Sequence, residues 1–234
     1  MATSFTIDVG DGDTVTAVRY AAPRSSSKAA GPVLVLAHGA GAPQSHPFMV
    51  EVATGLAARG VSVVTFDFVY TQQKRKVPDR APRLESCWRA VLAAVRTKEK
   101  RSGAAILIGG KSMGGRIASH IASGDAPAEG LVGLVFLGYP LHPPGNPAKL
   151  RAAHLPGVRA PMLFVQGEKD AFGTPAELAP ILKPLKKRAR VVVVKGGDHS
   201  FKVPKRGGIS QADAMALVMD EVASFARTCA EAAS

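Results

Sequence analysis

The sequence predicts an α/β protein built on a mostly parallel, doubly wound sheet with helices on both faces. Two observations carry this. Strand-like and helix-like segments alternate along most of the chain. The apolar runs are short, about five to eight residues, which suits buried strands and falls far short of a membrane span. With 234 residues, no internal repeat and no linker between halves, the chain reads as one domain with a sizeable core.

Two alternating stretches open the chain, residues 5–9 and 14–19, joined by the turn-rich GDGD of residues 10–13. They predict an antiparallel hairpin at the sheet edge. Residues 21–32 are a loop, and PVLVLAH then gives a buried strand ending at His38. Residues 47–59 predict an amphipathic helix with Phe48, Val52 and Leu56 on one face, Ser45 near its N-cap and Gly60 as its stop. A buried strand over 61–66, a basic loop over 71–82 and a helix from about 83 to 98 follow. The inner stripe of that helix is Leu84, Trp88, Val91, Leu92 and Val95. A strand over 104–108 passes through a glycine-rich turn into a helix that runs through Ile121. Further strands are expected over 131–137, 161–166 and 190–194. Short helices are expected near 148–154 and over 175–183. A closing helix over 209–230 turns Ala214, Val218, Val222 and Phe225 inward.

Composition is that of an ordinary globular protein, with 46% hydrophobic and 21% charged residues. The opening MATSFTIDVGDGD has neither a basic n-region nor an apolar h-region, so no signal peptide is expected. Cys87 and Cys229 stand far apart, fit no metal spacing, and are read as reduced thiols of a cytoplasmic protein. Neither a metal nor another cofactor is expected. The net charge of +12 is uneven: the first 70 residues hold four Lys and Arg against five Asp and Glu. The excess falls in clusters at 74–76, 96–101, 183–190 and 202–206. A surface of this kind attracts nucleic acid or anionic substrates, or simply confers solubility. No aromatic residues interleave with the clusters and no nucleic-acid motif is present, so no specific nucleic-acid partner is expected. No membrane association is expected either, and oligomeric state is left open.

The chemistry is concentrated in GGKSMGG, residues 109–115. It contains G-x-S-x-G between an expected strand and an expected helix, the context in which that motif has meaning. A serine perched on a tight turn needs neighbours without bulk, which Gly110 and Gly114 supply. A hydroxyl is a poor nucleophile without a base. Of six histidines, His199 in GGDHSF stands in a loop after the last strand, on the sheet edge that bears Ser112. The third member orients the imidazole. Asp170, in GEKD, follows the 161–166 strand and gives the chain order Ser, Asp, His; Glu168 is its rival. Asp198 adjoins His199 in sequence and is badly placed to reach its ring. Asp67 ends an earlier strand and reads as structural. The oxyanion hole needs two backbone amides. Met113 supplies one; the other is assigned to Ala40, with Gly41 as alternative, in the loop HGAGA that starts at His38.

AHGAGA, GGKSMGGR, FLGYPLHPPGNP, QGEKDAFG and GGDHSF together resemble the dienelactone-hydrolase-like branch of the α/β-hydrolases. More narrowly, they resemble the family that a testis-expressed protein shares with a subunit of the non-specific lethal histone-acetyltransferase complex. The resemblance runs from about residue 33 to 227. It implies the α/β-hydrolase fold and carries the triad onto Ser112, Asp170 and His199. Dienelactone hydrolases carry a cysteine nucleophile; here serine stands in its place.

The expected activity is that of a metal-free serine hydrolase acting on ester or thioester bonds of a small acyl substrate. The alternatives are a non-catalytic interaction module on the same fold and a nucleic-acid-associated protein using its basic face. About two dozen residues separate the strand ending near Leu137 from the next, too few for a large cap domain. An open site for short acyl groups follows, with His38, Tyr139, Leu141, His142 and the HGAGA loop lining it.

Overall fold

A computed structural model describes residues 2–23, 30–100, 102–124, 126–206 and 208–233. Residues 24–29 of the expected 21–32 loop, and Arg101 of the second basic cluster, lie outside these. One eight-stranded sheet organises the fold: β1 (Ala2–Gly10), β2 (Asp13–Tyr20), β3 (Val33–Ala37), β4 (Ser62–Phe66), β5 (Ile106–Lys111), β6 (Leu131–Leu137), β7 (Met162–Gly167) and β8 (Ala189–Val194). Their spatial order is β1-β2-β4-β3-β5-β6-β7-β8. The β1–β2 hairpin is antiparallel and occupies one edge, joined antiparallel to β4; the other pairs are parallel.

Alternate residues along each strand feed opposite faces. Val33, Val35 and Ala37 of β3 and Leu134 and Phe136 of β6 enter one core. There they meet α3 (Ala81–Glu99), α4 (Met113–Ile121) and α5 (Pro175–Leu182). Leu34, Leu36, Val135 and Leu137 enter the other, under α1 (Pro47–Ala58) and α6 (Gln211–Ala233). The expected inner stripes of α3 and α6 are buried in full. On α1 the buried residues are Met49, Val52, Ala53, Leu56 and Ala57, while Phe48 lies at the margin of the core.

Several boundaries differ from the sequence expectation. Ser45 lies one residue before the N-cap of α1, which is His46, whose Nδ1 accepts from the Phe48 amide. Pro47 occupies the first helical position and biases the residue before it toward extended backbone. Part of the expected 71–82 loop belongs to a single helical turn, α2 (Val69–Gln72). The glycines at 109 and 110 continue β5 rather than form a turn. They pair in register with Leu36 and Ala37 on one side and Val135 and Phe136 on the other. A Cβ on Gly109 would stand 2.1 Å from the Val135 carbonyl oxygen.

No helix forms over 148–154; a 3₁₀ turn spans Leu155–Gly157 instead. Arg151 donates its amide to the Leu141 carbonyl and its own carbonyl accepts from the Tyr139 hydroxyl, so tertiary bonds take the groups a helix would use. Cys87 and Cys229 are buried and unpaired with each other. Among the described residues no helix is long and apolar enough to cross a membrane. Among the described residues no cap domain covers the strand ends.

Candidate active site

Registration of the parallel strands brings the ends of β3, β5, β6, β7 and β8 side by side. Ala37 lies opposite Gly110, Lys111 opposite Leu137, Leu137 opposite Val165, and Gly167 opposite Val194. Ser112 follows β5 directly and precedes α4, with φ 51° and ψ −116°. This is a costly backbone conformation for a residue with a side chain, and the packing around it holds it in place. A Cβ on Gly110 would stand 2.6 Å from the Ala37 carbonyl oxygen, and one on Gly114 would stand 2.5 Å from that of His38. Only glycine lets β3, the turn and α4 approach this closely.

The Ser112 Oγ lies 2.8 Å from His199 Nε2, and His199 Nδ1 lies 2.7 Å from Asp170 Oδ2. The hydrogen-bond partners assign the tautomer: Nδ1–H donates to the carboxylate, and Nε2 accepts from the serine hydroxyl. Asp170 is 1% exposed, and both of its oxygens are engaged. Oδ1 accepts from the Phe172 amide at 2.8 Å, and Oδ2 also accepts from Gln166 Nε2 at 2.8 Å. Gln166 is itself buried and reaches the Gly173 carbonyl and the backbone of Tyr139, locking the β7 end to the β6 end. The Phe172 ring stacks on the His199 imidazole at 4.2 Å and 30°.

Glu168 does not reach His199. Its Oε2 accepts from the Gly196 amide at 2.7 Å and holds the start of the histidine loop. Asp198 is consumed within that loop, accepting from the amides of Ser200 and Lys202. Asp67 binds Gln44 through both oxygens. The amides of Ala40, Gly41 and Met113 donate to no protein acceptor among the described residues. The Tyr70 hydroxyl donates to the Ala40 carbonyl at 3.1 Å and fixes that loop from behind.

A cleft of about 550 Å³ opens over Ser112 and His199, walled by residues 39–42 of the HGAGA loop and by Met49, Leu84 and Phe172 among others. The expected lining needs correction. His38, Tyr139, Leu141 and His142 are all buried away from this cleft. His38 Nδ1 donates to the Gly39 carbonyl and Nε2 accepts from the Phe68 amide, an arrangement for a neutral ring; burial pushes its pKa down. After Gly138, at φ +67°, the chain turns Tyr139 against Phe136 and Phe164 and buries Leu141 beneath Gly173, which leaves Pro140 facing the cleft. His142 points to Glu177.

The residues that sequence reading missed are those whose neighbours come from far along the chain. Phe172, Gln166 and Tyr70 are of this kind, and so are three cations of the lining, Lys111, Arg116 and Arg151. Burial pulls the Lys111 pKa down to about 8, against the charges of Asp170 and Asp198.

Residues 30–227 match the model of the alpha/beta hydrolase domain family, and the chain belongs to that family. Solved structures share its architecture. A serine hydrolase without a lid from Xanthomonas campestris is 19% identical with a TM-score of 0.70, covering 96% of this chain and 94% of that one. A dienelactone hydrolase from Anabaena variabilis is 20% identical with a TM-score of 0.71, covering 96% of each chain. An esterase domain from Rhodothermus marinus is 14% identical with a TM-score of 0.71, covering 97% of this chain and 98% of that one. At these identities the likeness is one of fold.

Proposed function

We propose that the protein is a serine hydrolase that cleaves short-acyl ester or thioester bonds. The observation that carries this reading is the continuous hydrogen-bonded line from Ser112 through His199 to buried Asp170. Ser112 Oγ attacks the carbonyl carbon as His199 Nε2 takes its proton. Asp170 stabilises the imidazolium, and the oxyanion accepts hydrogen bonds from the Met113 amide and that of Ala40 or Gly41. The leaving group departs with the proton from His199. Water then gives a proton to the same nitrogen and attacks the acyl-serine, and the nitrogen returns that proton to Ser112 Oγ as the acid is released.

No metal or other cofactor takes part in this scheme. The names of the serine hydrolase and esterase neighbours agree with it, as does the open cleft. A cytoplasmic location, on the two separated thiols, belongs to the same reading. So does the narrower kinship with the family of the testis-expressed protein and the non-specific lethal complex subunit, on the motifs quoted above.

A fluorophosphonate probe tests the proposal without a guess at substrate. Wild type should be labelled covalently at Ser112 and the Ser112→Ala variant should not. A folded wild-type protein that resists labelling would instead be a non-catalytic interaction module.

A further inference from the structure

Two arginines line the cleft over Ser112, and neither has a carboxylate ion-pair partner among the described residues. Arg116 stands on α4, one turn beyond Ser112, and Arg151 enters from the segment after β6. The arginine ion pairs among the described residues involve Arg19, Arg59, Arg75, Arg83 and Arg190, and neither of these two. Arg116 Nη1 lies 3.3 Å from His120 Nε2, and its Nε is buried with no partner. The His120 ring meets Glu85 through Nδ1 and faces Arg116 through Nε2.

Arg151 is held by its backbone: its amide donates to the Leu141 carbonyl at 2.8 Å and its carbonyl accepts from the Tyr139 hydroxyl at 2.7 Å. Its guanidinium makes no hydrogen bond among the described residues. The segment is therefore fixed while the charged head is left for something else. The two heads are also close enough to repel. Burial first, then the charge of Arg151, holds the Arg116 pKa below the usual arginine range, against a smaller opposing effect of Glu85, which is bonded to His120.

The other charges of the lining do not neutralise the pair. Asp79 Oδ1 is ion-paired with Arg75 at 2.7 Å; its Oδ2 lies 3.9 Å from Arg83 and is buried without a hydrogen-bond partner, and Asp79 is not among the charges that act on Arg116. Lys111 is committed to the His199 carbonyl. Like charges gathered in one cleft without a counter-ion are unfavourable by themselves and favourable around an anion, and guanidinium suits the planar oxyanions of carboxylate and phosphate.

We infer that Arg116 and Arg151 form an anion-binding arm of the cleft, and that the ester cleaved at Ser112 carries a carboxylate or phosphate group. The inference rests on the hydrolase reading above and adds the substrate class. The anion belongs to the acyl chain or to the leaving group, and matched substrates separate the two. For the acyl side, the pair is p-nitrophenyl glutarate monoester and p-nitrophenyl valerate. For the leaving-group side, it is para-acetoxybenzoate and its methyl ester.

In wild type, the anionic member of at least one pair should be favoured about tenfold or more in kcat/KM. That ratio should fall by about fivefold or more in Arg151→Gln and in Arg116→Gln, and should reverse in Arg151→Glu. If Arg116→Gln does not fold, the two Arg151 variants decide. Parity or a neutral preference in both pairs would overturn the inference while leaving the hydrolase reading intact, as would a ratio that Arg151→Gln and Arg151→Glu do not change. Should no ester be turned over and no probe label the protein, the hydrolase reading fails, and binding decides the arm alone. Glutarate and inorganic phosphate are titrated into Ser112→Ala at constant ionic strength. Binding weakened about fivefold or more by adding Arg151→Gln supports the arm; no binding, or binding that Arg151→Gln leaves unchanged, overturns it.

Discussion

The Lys111 ammonium donates a 2.7 Å hydrogen bond to the backbone carbonyl of His199, tying the residue before the candidate nucleophile to the residue that bears the candidate base. Lys111 is buried, and this bond crosses 88 positions of sequence. It acts as a positioning contact: it touches the loop and not the reacting atoms. Lys111→Met keeps most of the stem volume and removes the donor. Turnover should fall about ten- to a hundredfold with KM little changed, because small displacements of a base from its nucleophile are costly. Since burial brings the Lys111 pKa to about 8, the stronger, charged donor is lost above that pH. Wild-type kcat should therefore decline on the alkaline side of about pH 8, and the Met variant should lack that limb. A kcat–pH profile of the two proteins checks both points.

The carboxylates after β7 have separate expected roles. Asp170→Asn removes the charge beside the imidazole and supports the wrong tautomer, so kcat should fall about 10⁴-fold. Glu168→Gln keeps an acceptor for the Gly196 amide and should stay within about threefold of wild type. Steady-state kinetics on an activated short-chain ester compares them, and the reverse ranking would make Glu168 the acid.

The glycines of the site differ in what a methyl group would meet. At Gly114 it would stand 2.5 Å from the His38 carbonyl oxygen, whereas at Gly41 nothing lies within 4 Å. Gly114→Ala should cost about 2–4 kcal/mol as β3 and α4 are forced apart. Gly41→Ala should change stability by no more than about 0.5 kcal/mol. Urea unfolding midpoints with unchanged slopes give the comparison.

Acid stability should carry the mark of His154. Burial first, then the charges of His120 and Arg116, bring its pKa down to about 4. The unfolded chain takes up that proton near the ordinary histidine value. Stability from this group is therefore full above about pH 6.5 and is lost as pH falls toward about 4. His38, whose pKa burial also lowers, acts with the same sign. Allowing for solvent screening at the half-buried His154, the loss is roughly 1–2 kcal/mol. Unfolding free energies at about pH 7.5 and about pH 4.5 should differ less in His154→Gln than in wild type, by that amount.

Chain length should govern neutral substrates. The cleft holds about 550 Å³, and among the described residues no cap domain extends it. Each methylene that finds cover is worth roughly 0.8 kcal/mol, and long chains here would leave most of theirs in water. A series of p-nitrophenyl esters should show kcat/KM highest for short acyl groups and falling with length, without interfacial activation. A steady rise toward long chains would reveal a lipid-sized tunnel.

The features that the sequence determined by itself are those encoded within a few residues. Apolar runs such as Val33–Ala37 demanded burial on both faces, and the inner stripes of α3 and α6 followed from helical spacing alone. Glycines flanking Ser112 marked the turn because crowding there leaves no room for a side chain, and the order of Ser112, Asp170 and His199 along the chain sufficed to nominate all three. Tertiary structure decided everything that depends on which distant backbone a side chain meets. Residues 148–154 lost their helix to bonds from Leu141 and Tyr139. Tyr139, Leu141 and His142 went into the interior because the chain turns after Gly138. Phe172 came to lie on the imidazole, and Arg151 was delivered beside Arg116, from separate strand ends. Periodicity records which residues avoid water; it holds no information on the direction a chain takes when it leaves a strand, and that direction placed the lining of the cleft.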